Sequence, residues 1–235
     1  MKFIFLFLLF SPSLFAQEFD YGEALRQLAQ GPFAPWCPVP EVKKVSYALP
    51  ASYREHKADC SKFIDSKGNL GIHGHEIFNH LDEVSNSQYF AKSYPGMQNI
   101  CPNWNGFTKT QKKYFWVWFF AGIAWKEATC IEGQINANAT SGIAVGYLQL
   151  NEKPGDRNWR GDDSGKSCAH KEVKTAKNNL KCGIEIFNEQ LQGKNGIYKS
   201  NGQLGGKGSS SYWQDLRGSN SKVLQMVKAF PGCKT

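Results

Sequence analysis

Glu127 closes the stretch FFAGIAWKEATC, residues 119–130, the most apolar segment of the chain once its first sixteen residues are set aside. One helical turn behind it stand Ile123 and Ala124. Two effects act on a carboxyl so placed. Apolar walls strip its water, and the end of a helix adds partial negative charge; both favour the protonated form. Lys126 points roughly 100° away around a helix, so it need not pair with Glu127. A carboxyl kept neutral at about pH 6 or above can act as a general acid. Most glutamates are simply solvated. Glu127 differs because the segment behind it, Tyr114 to Trp125, is apolar on every face, the pattern of a helix buried all round.

The elements that must hold this acid can be read from periodicity and caps. Thr108 or Thr110 can open a helix that runs to about Ala128. Residues 130–146 read as a loop rich in Asn, Ala and Gly, and 151–167 as a polar surface loop. A second helix is expected over 171–192, where Val173, Ala176, Leu180, Ile184, Phe187 and Leu191 recur at steps of three and four. The run SNGQLGGKGSSS (200–211) is linker-like, and a short apolar helix is expected near 221–230. Trp104, Trp116, Trp118 and Trp125 are expected in the core.

Upstream, residues 17–107 carry prolines at 32, 35, 38, 40 and 50, with helical candidates near 20–30 and 75–90. The apolar content is thin for a separate core, so these residues are expected as an extension packed on a main domain over 108–235. The chain opens MKFIFLFLLFSPSLFAQ, which reads as a signal peptide over 1–16, with cleavage expected after Ala16. Its apolar run is shorter than the roughly 20 residues that span a bilayer, so no stable membrane insertion is expected. The mature protein is expected to be secreted or periplasmic and monomeric. Seven cysteines, at 37, 60, 101, 130, 168, 182 and 233, then imply up to three disulfides and one odd thiol. The formal net charge of +8 suits an anionic partner such as cell-wall polymer. Its basic residues are interspersed with acids, so nucleic acid is the least supported partner.

GIHGHEIFNH, residues 71–80, offers His73, His75, Glu76 and His80 to a metal. Helical zinc sites need histidines at i and i+4. His75 and His80 stand five apart, roughly 140° around a helix, and no metal site is expected. Asn138-Ala139-Thr140 matches a glycosylation acceptor, a short and common pattern.

SGIAVGYLQL (141–150) follows the acid, and NLKCGIEIF (179–187) lies on the second helix. Together with Glu127 these resemble the lytic transglycosylase and goose-type lysozyme family, over roughly residues 108–235. That family has a catalytic Glu closing a buried helix, then Gly-Ala-x-Gly-Leu-Met-Gln-Ile, then Asn-(Ile/Leu)-x-x-Gly. Ala144, Gly146, Tyr147, Leu148, Gln149 and Leu150 align with the second motif, and Asn179, Leu180 and Gly183 with the third. The resemblance implies a mainly helical, lysozyme-like α+β domain with a disulfide-tied N-terminal extension. It implies cleavage of the β-1,4 bond between aminosugars of peptidoglycan glycan strands, with Glu127 as acid and then base and no cofactor. Gly146 would let a sugar approach the backbone, and Gln149 would offer a donor and an acceptor. Tyr147 and Tyr212 would position sugar and acid, and Trp213 would be a sugar platform.

The chain departs from the family pattern at several places. Ala128 stands where Ser is common, Ile143 replaces the first motif Gly, and SYWQDL (211–216) takes the place of a late Ala-Tyr-Asn signature. These changes surround the expected acetamido position, which points to a glycan lacking N-acetyl groups. An inverting hydrolase would need a second carboxylate roughly 6.5–9.5 Å from the first. Asp156, Asp162, Asp163 and Glu132 are candidates, each in a polar loop that equally fits plain surface charge. Asn151 stands where goose-type lysozymes carry Asp, which favours a single-acid site. Whether water or the sugar's own 6-hydroxyl accepts the cleaved bond stays open. So do a non-catalytic wall-binding protein and a chitinase-like hydrolase.

Overall fold

The helix that carries Glu127 is the axis around which the described residues pack. The computed structural model describes residues 46–49, 59–84, 87–91, 97–139, 142–151, 173–192, 212–216 and 221–233. The expected leader, the helical candidate at 20–30, Cys37, Cys168 and the linker-like run 200–211 lie outside these residues. The chain divides between Lys44 and Val45, and every described residue belongs to Val45–Thr235. Within that unit the helices are α1 (Ile72–Glu83), α2 (Met97–Ile100), α3 (Lys109–Ala128), α4 (Ala176–Gln192) and α5 (Lys222–Lys228). Strands β1 (Ile135–Ala139), β2 (Gly142–Val145) and β3 (Leu150–Asn151) form one small antiparallel sheet in that order. Single 3-10 turns occupy Cys60–Lys62, Trp104–Gly106 and Gln214–Leu216. The described unit is thus mainly helical α+β.

Thr108, rather than Thr110, opens α3. Its hydroxyl accepts the Gln111 N–H at 3.2 Å while Gln111 Oε1 accepts the Thr108 N–H at 2.8 Å, a reciprocal capping box. Beyond the first turn, the residues from Phe115 to Ala124 are buried on every face. α3 packs against α1 and α5, and α1 also packs on α4. The indoles bring polar N–H groups into this core, and each is satisfied. Trp116 Nε1 donates to Tyr89 O at 2.8 Å, and Trp118 Nε1 to Tyr47 O at 2.7 Å. Trp125, expected in the core, is only half-buried.

Two successive residues in left-handed conformation, Thr129 (φ 52°) and Cys130 (φ 55°), stop α3 just past Glu127. The Thr129 and Cys130 N–H groups cap the Trp125 and Ala124 carbonyls, and Cys130 is bridged to Cys60. A second bridge joins Cys101 to Cys233. Cys182 is also disulfide-bonded, its partner lying outside the described residues. Residues 59–107 contribute Phe63, Ile77, Leu81, Tyr89 and Trp104 to the same core as α3.

Residues 130–146, expected as a loop, contain a hairpin instead. β1 pairs with β2 through Ile135↔Val145, Asn136↔Ala144 and Ala139↔Gly142, with a bulge between. The sequence INANA is almost wholly exposed, so it lacks the apolar alternation that marks a strand. α4 begins at Ala176 rather than near 171. The Thr175 hydroxyl accepts the Asn178 N–H at 3.4 Å, and Val173 lies in the turn before the helix.

On α4, Asn179 is fully buried and spends its carboxamide on three backbone groups. Its Nδ2 donates to Val145 O at 2.9 Å and Val173 O at 3.0 Å, while its Oδ1 accepts the Leu148 N–H at 2.9 Å. The turn 146–149 is thereby pinned against the helix. Four residues on, a Cβ at Gly183 would lie 2.1 Å from Leu148 Cδ1, so Gly183 is the socket for that side chain. Asn179→Ala would leave three buried backbone groups unpaired. Its expected cost is about 3 kcal/mol or more in urea unfolding; a loss below about 1 kcal/mol would show that the turn has another support.

Candidate active site

Glu127 is half-buried at the end of α3, and among the described residues its carboxyl has no hydrogen bond or ion pair. Burial is the first cause of a pKa pushed up to about 7. The charge of nearby Asp215 raises it further, and Lys126 opposes the rise. Lys126 turns to Asp215 instead, Nζ to Oδ2 at 3.7 Å. A carboxyl of this kind carries a proton near neutrality and is free to give it up.

The turn 146–149 sits beside the segment leaving α3. The Gln134 carbonyl accepts the Gly146 N–H at 2.8 Å and Gln149 Nε2 at 3.1 Å. Gln149 Nε2 also donates to Gly146 O at 2.9 Å. Trp213 Nε1 donates to Leu148 O at 2.8 Å, which fastens the 212–216 segment to the same turn. Asp215 belongs to that segment. An unbroken chain of contacts therefore runs from Asn179 through the turn and Trp213 to Asp215, next to the acid.

The residues singled out in the sequence gather here, though several in other roles than expected. Gly146 (φ 73°) is in a conformation that favours glycine, and a Cβ there would lie 2.5 Å from Asn179 Nδ2. The close approach it permits is that of Asn179 rather than of a sugar. Tyr147 is fully buried, edge-on to Phe63 and His73, so it has no face for a ligand. Gln149 (φ 47°) has committed its amide donor to backbone carbonyls, which leaves the carboxamide oxygen as an acceptor. Backbone in this region costs a non-glycine residue about 1 kcal/mol or more. Trp213 is 2% exposed and is a strut within the core, not a platform. Tyr212 is half-buried with its ring edge-on to Trp213.

Asp215 is the carboxylate that sequence reasoning passed over. It lies within SYWQDL, the stretch already marked as replacing a family signature, but nothing local shows which residue of the six returns to the acid. Of the acids considered instead, Asp156, Asp162 and Asp163 lie outside the described residues. Glu132 is exposed and held by Lys62 at 3.1 Å, whose hydrogen bond keeps its pKa low. The helix α1 separates its histidines as expected from their spacing. His73 and His80 face inward, and His75 faces solvent. Among the described residues no group of three or more His, Cys, Asp and Glu is arranged to hold a metal. No described helix is long and apolar enough to cross a membrane.

No protein-family model and no curated protein matches the chain. Two solved structures do, both glutamate-to-glutamine mutants of Bd0314 DslA. Each aligns with a TM-score of 0.55 at 16% or 17% identity, covering 81% of this chain and 100% of that one. At this identity the likeness is one of fold.

A carboxyl whose pKa rises from 4.5 to about 7 on folding makes the folded state bind its proton more tightly. Stability from this group is intact below the unfolded value and is lost as pH rises through about 7, by about 3 kcal/mol in all. Glu127→Gln is expected to melt higher than the wild type at pH ~8 and to lose that advantage at pH ~4. Parallel melting curves at both pH values, measured by circular dichroism, check this.

Proposed function

We propose that the chain is a glycosidase that cleaves the β-1,4 bond between aminosugars of peptidoglycan, with Glu127 as the general acid. One observation carries the reading: a half-buried carboxyl with a pKa of about 7, unpartnered among the described residues, ends a buried helix whose following segment meets the 146–149 turn. In the mechanism Glu127 protonates the glycosidic oxygen as the C–O bond breaks and positive charge develops on the sugar ring. The resulting carboxylate then takes a proton from the incoming nucleophile, either water or the sugar's own 6-hydroxyl. The lysozyme-like arrangement that the sequence implies agrees with the observed mainly helical α+β unit. It is further supported by the fold neighbour Bd0314 DslA, in which glutamate was replaced by glutamine at two positions.

Asp215 gives the site a second carboxylate close to the first. Paired on one side with Lys126, its carboxylate can stabilise the developing positive charge or orient a water. The same charge suits an ammonium group better than an uncharged acetamide. Glycan strands lacking N-acetyl groups are therefore the substrate we favour. The Cys60–Cys130 and Cys101–Cys233 bridges and the apolar leader fit an exported protein acting on cell wall in an oxidising compartment.

Glu127→Gln is expected to bind purified sacculi but release no fragments; release at the wild-type rate would exclude Glu127 as the acid. Mass analysis of reducing ends separates the acceptors, an anhydro end for the 6-hydroxyl and a hydrated end for water. On matched acetylated and de-N-acetylated glycan the wild type is expected to prefer the latter by about tenfold, one strong charge contact. Asp215→Asn should erase that preference, and equal turnover by the wild type would defeat the substrate assignment.

A further inference from the structure

The segment that leaves α3 is gripped from outside the site by a buried imidazole. His73, on α1, is 6% exposed. Its Nδ1 lies 2.8 Å from Glu76 Oε2 on the same helix, and its Nε2 lies 3.6 Å from Glu132 Oε2, five residues past Glu127. Both ring nitrogens therefore face a carboxylate, Nδ1 at hydrogen-bond distance and Nε2 at an ion-pair distance, with no hydrogen bond to Nε2 among the described residues. A neutral imidazole has one N–H and one lone pair and can serve only one of them, whereas the imidazolium serves both. Lys62 holds Glu132 from its other side at 3.1 Å. The Tyr147 ring stands edge-on to His73 with centroids 5.0 Å apart, its hydroxyl buried without a hydrogen-bond partner among the described residues. Asp59 adds negative charge near that hydroxyl, and Phe63 closes the wall.

Two residues beyond Glu132, the Gln134 carbonyl accepts both the Gly146 N–H and Gln149 Nε2. The links from imidazole to site are thus Glu132, the Gln134 backbone and Gln149.

We propose that His73 is a positioning residue: its protonated ring, bridging Glu76 and Glu132, holds segment 130–134 where the Gln134 carbonyl fixes Gln149. Its effect on turnover rests on the glycosidase reading; its effect on the segment does not. Deprotonation sets a lone pair against one of the two carboxylates. Glu132, the more exposed of them, is the one released. The Lys62–Glu132 pair and the Cys60–Cys130 bridge persist at either pH, so the segment loosens without unfolding. Protonation of the ring therefore tightens the segment, and loss of that proton relaxes it.

Glu127 loses its proton in the same direction, so the two groups are separated by the size of the alkaline fall. On purified sacculi, kcat/KM of the wild type is expected to fall on its alkaline side about threefold to fivefold further than the loss of one proton from Glu127 would take it. His73→Gln and Glu132→Gln should each follow the single-proton fall without that extra loss. A merely structural histidine would lower activity alike at every pH and leave the extra alkaline loss in place, which would overturn the proposal. Glu132 is half-exposed, so its variant is expected to fold even if His73→Gln does not.

A second measurement does not depend on turnover. Exchange of the Gly146 amide, corrected for intrinsic rate, is expected to be about threefold to fivefold slower at pH ~5.5 than at pH ~8 in the wild type. In both variants that difference should vanish. Persistence of the difference in Glu132→Gln would sink the proposal. If sacculi stay intact while the exchange difference behaves as expected, the glycosidase reading fails and the positioning role stands.

Discussion

The geometry of the site hangs on the carboxamide of Asn179. It is buried on α4 and satisfies three backbone groups that would otherwise be orphaned where the sheet meets the helix. Individually such bonds add little net stability, but leaving their partners unpaired in the core costs far more. The turn 146–149 therefore has one place to be. That constraint propagates. Gly146 must lack a Cβ because Asn179 presses on it, Leu148 must enter the space left by Gly183, and the Leu148 carbonyl is then presented to Trp213. Through Trp213 the 212–216 segment is fixed, and with it Asp215.

Glu127 stands apart from the other polar groups that α3 brings into the core. The indoles that enter the core find carbonyls, and Lys112 and Lys113 at the start of α3 find carbonyls and Asp82. Glu127 has neither a donor nor a cation of its own among the described residues, and Lys126 beside it turns to Asp215. A carboxyl left unpaired in a half-buried position is destabilising in its charged form, and such arrangements concentrate at functional sites. The strained backbone of Gln149 belongs to the same pattern, because it too persists only where its surroundings over-determine it.

The N-terminal residues of the described unit act as the outer wall of this arrangement. The Cys60–Cys130 bridge, the Lys62–Glu132 pair and the His73 contacts converge on the few residues that follow the acid. At the far side, Cys101–Cys233 ties α2 to the chain end beyond α5. Burial of Phe63, Ile77, Leu81 and Trp104 in the core around α3 makes these residues part of the helix's packing. A helix apolar on every face requires such covering from several segments at once.

Local features of the fold were legible in the sequence because they depend on local physics. The α3 cap, the all-round burial of that helix, the apolar stripe of α4 and the short helix after Ser221 follow from caps and from 3.6-residue periodicity. The hairpin was not legible, since its exposed Asn and Ala residues carry no alternation and only pairing holds them as strands. Reading Gly146, Tyr147 and Trp213 as ligand contacts failed for a related reason: a side chain's chemistry does not say which way it faces. The sequence by itself determined that an acid must sit at the end of a dry helix. Tertiary structure alone decided that Asp215 stands near it, that Trp213 is a strut and that Gln149 keeps only an acceptor. Those outcomes depend on contacts between segments tens of residues apart, whose meeting is set by the packing of the whole core.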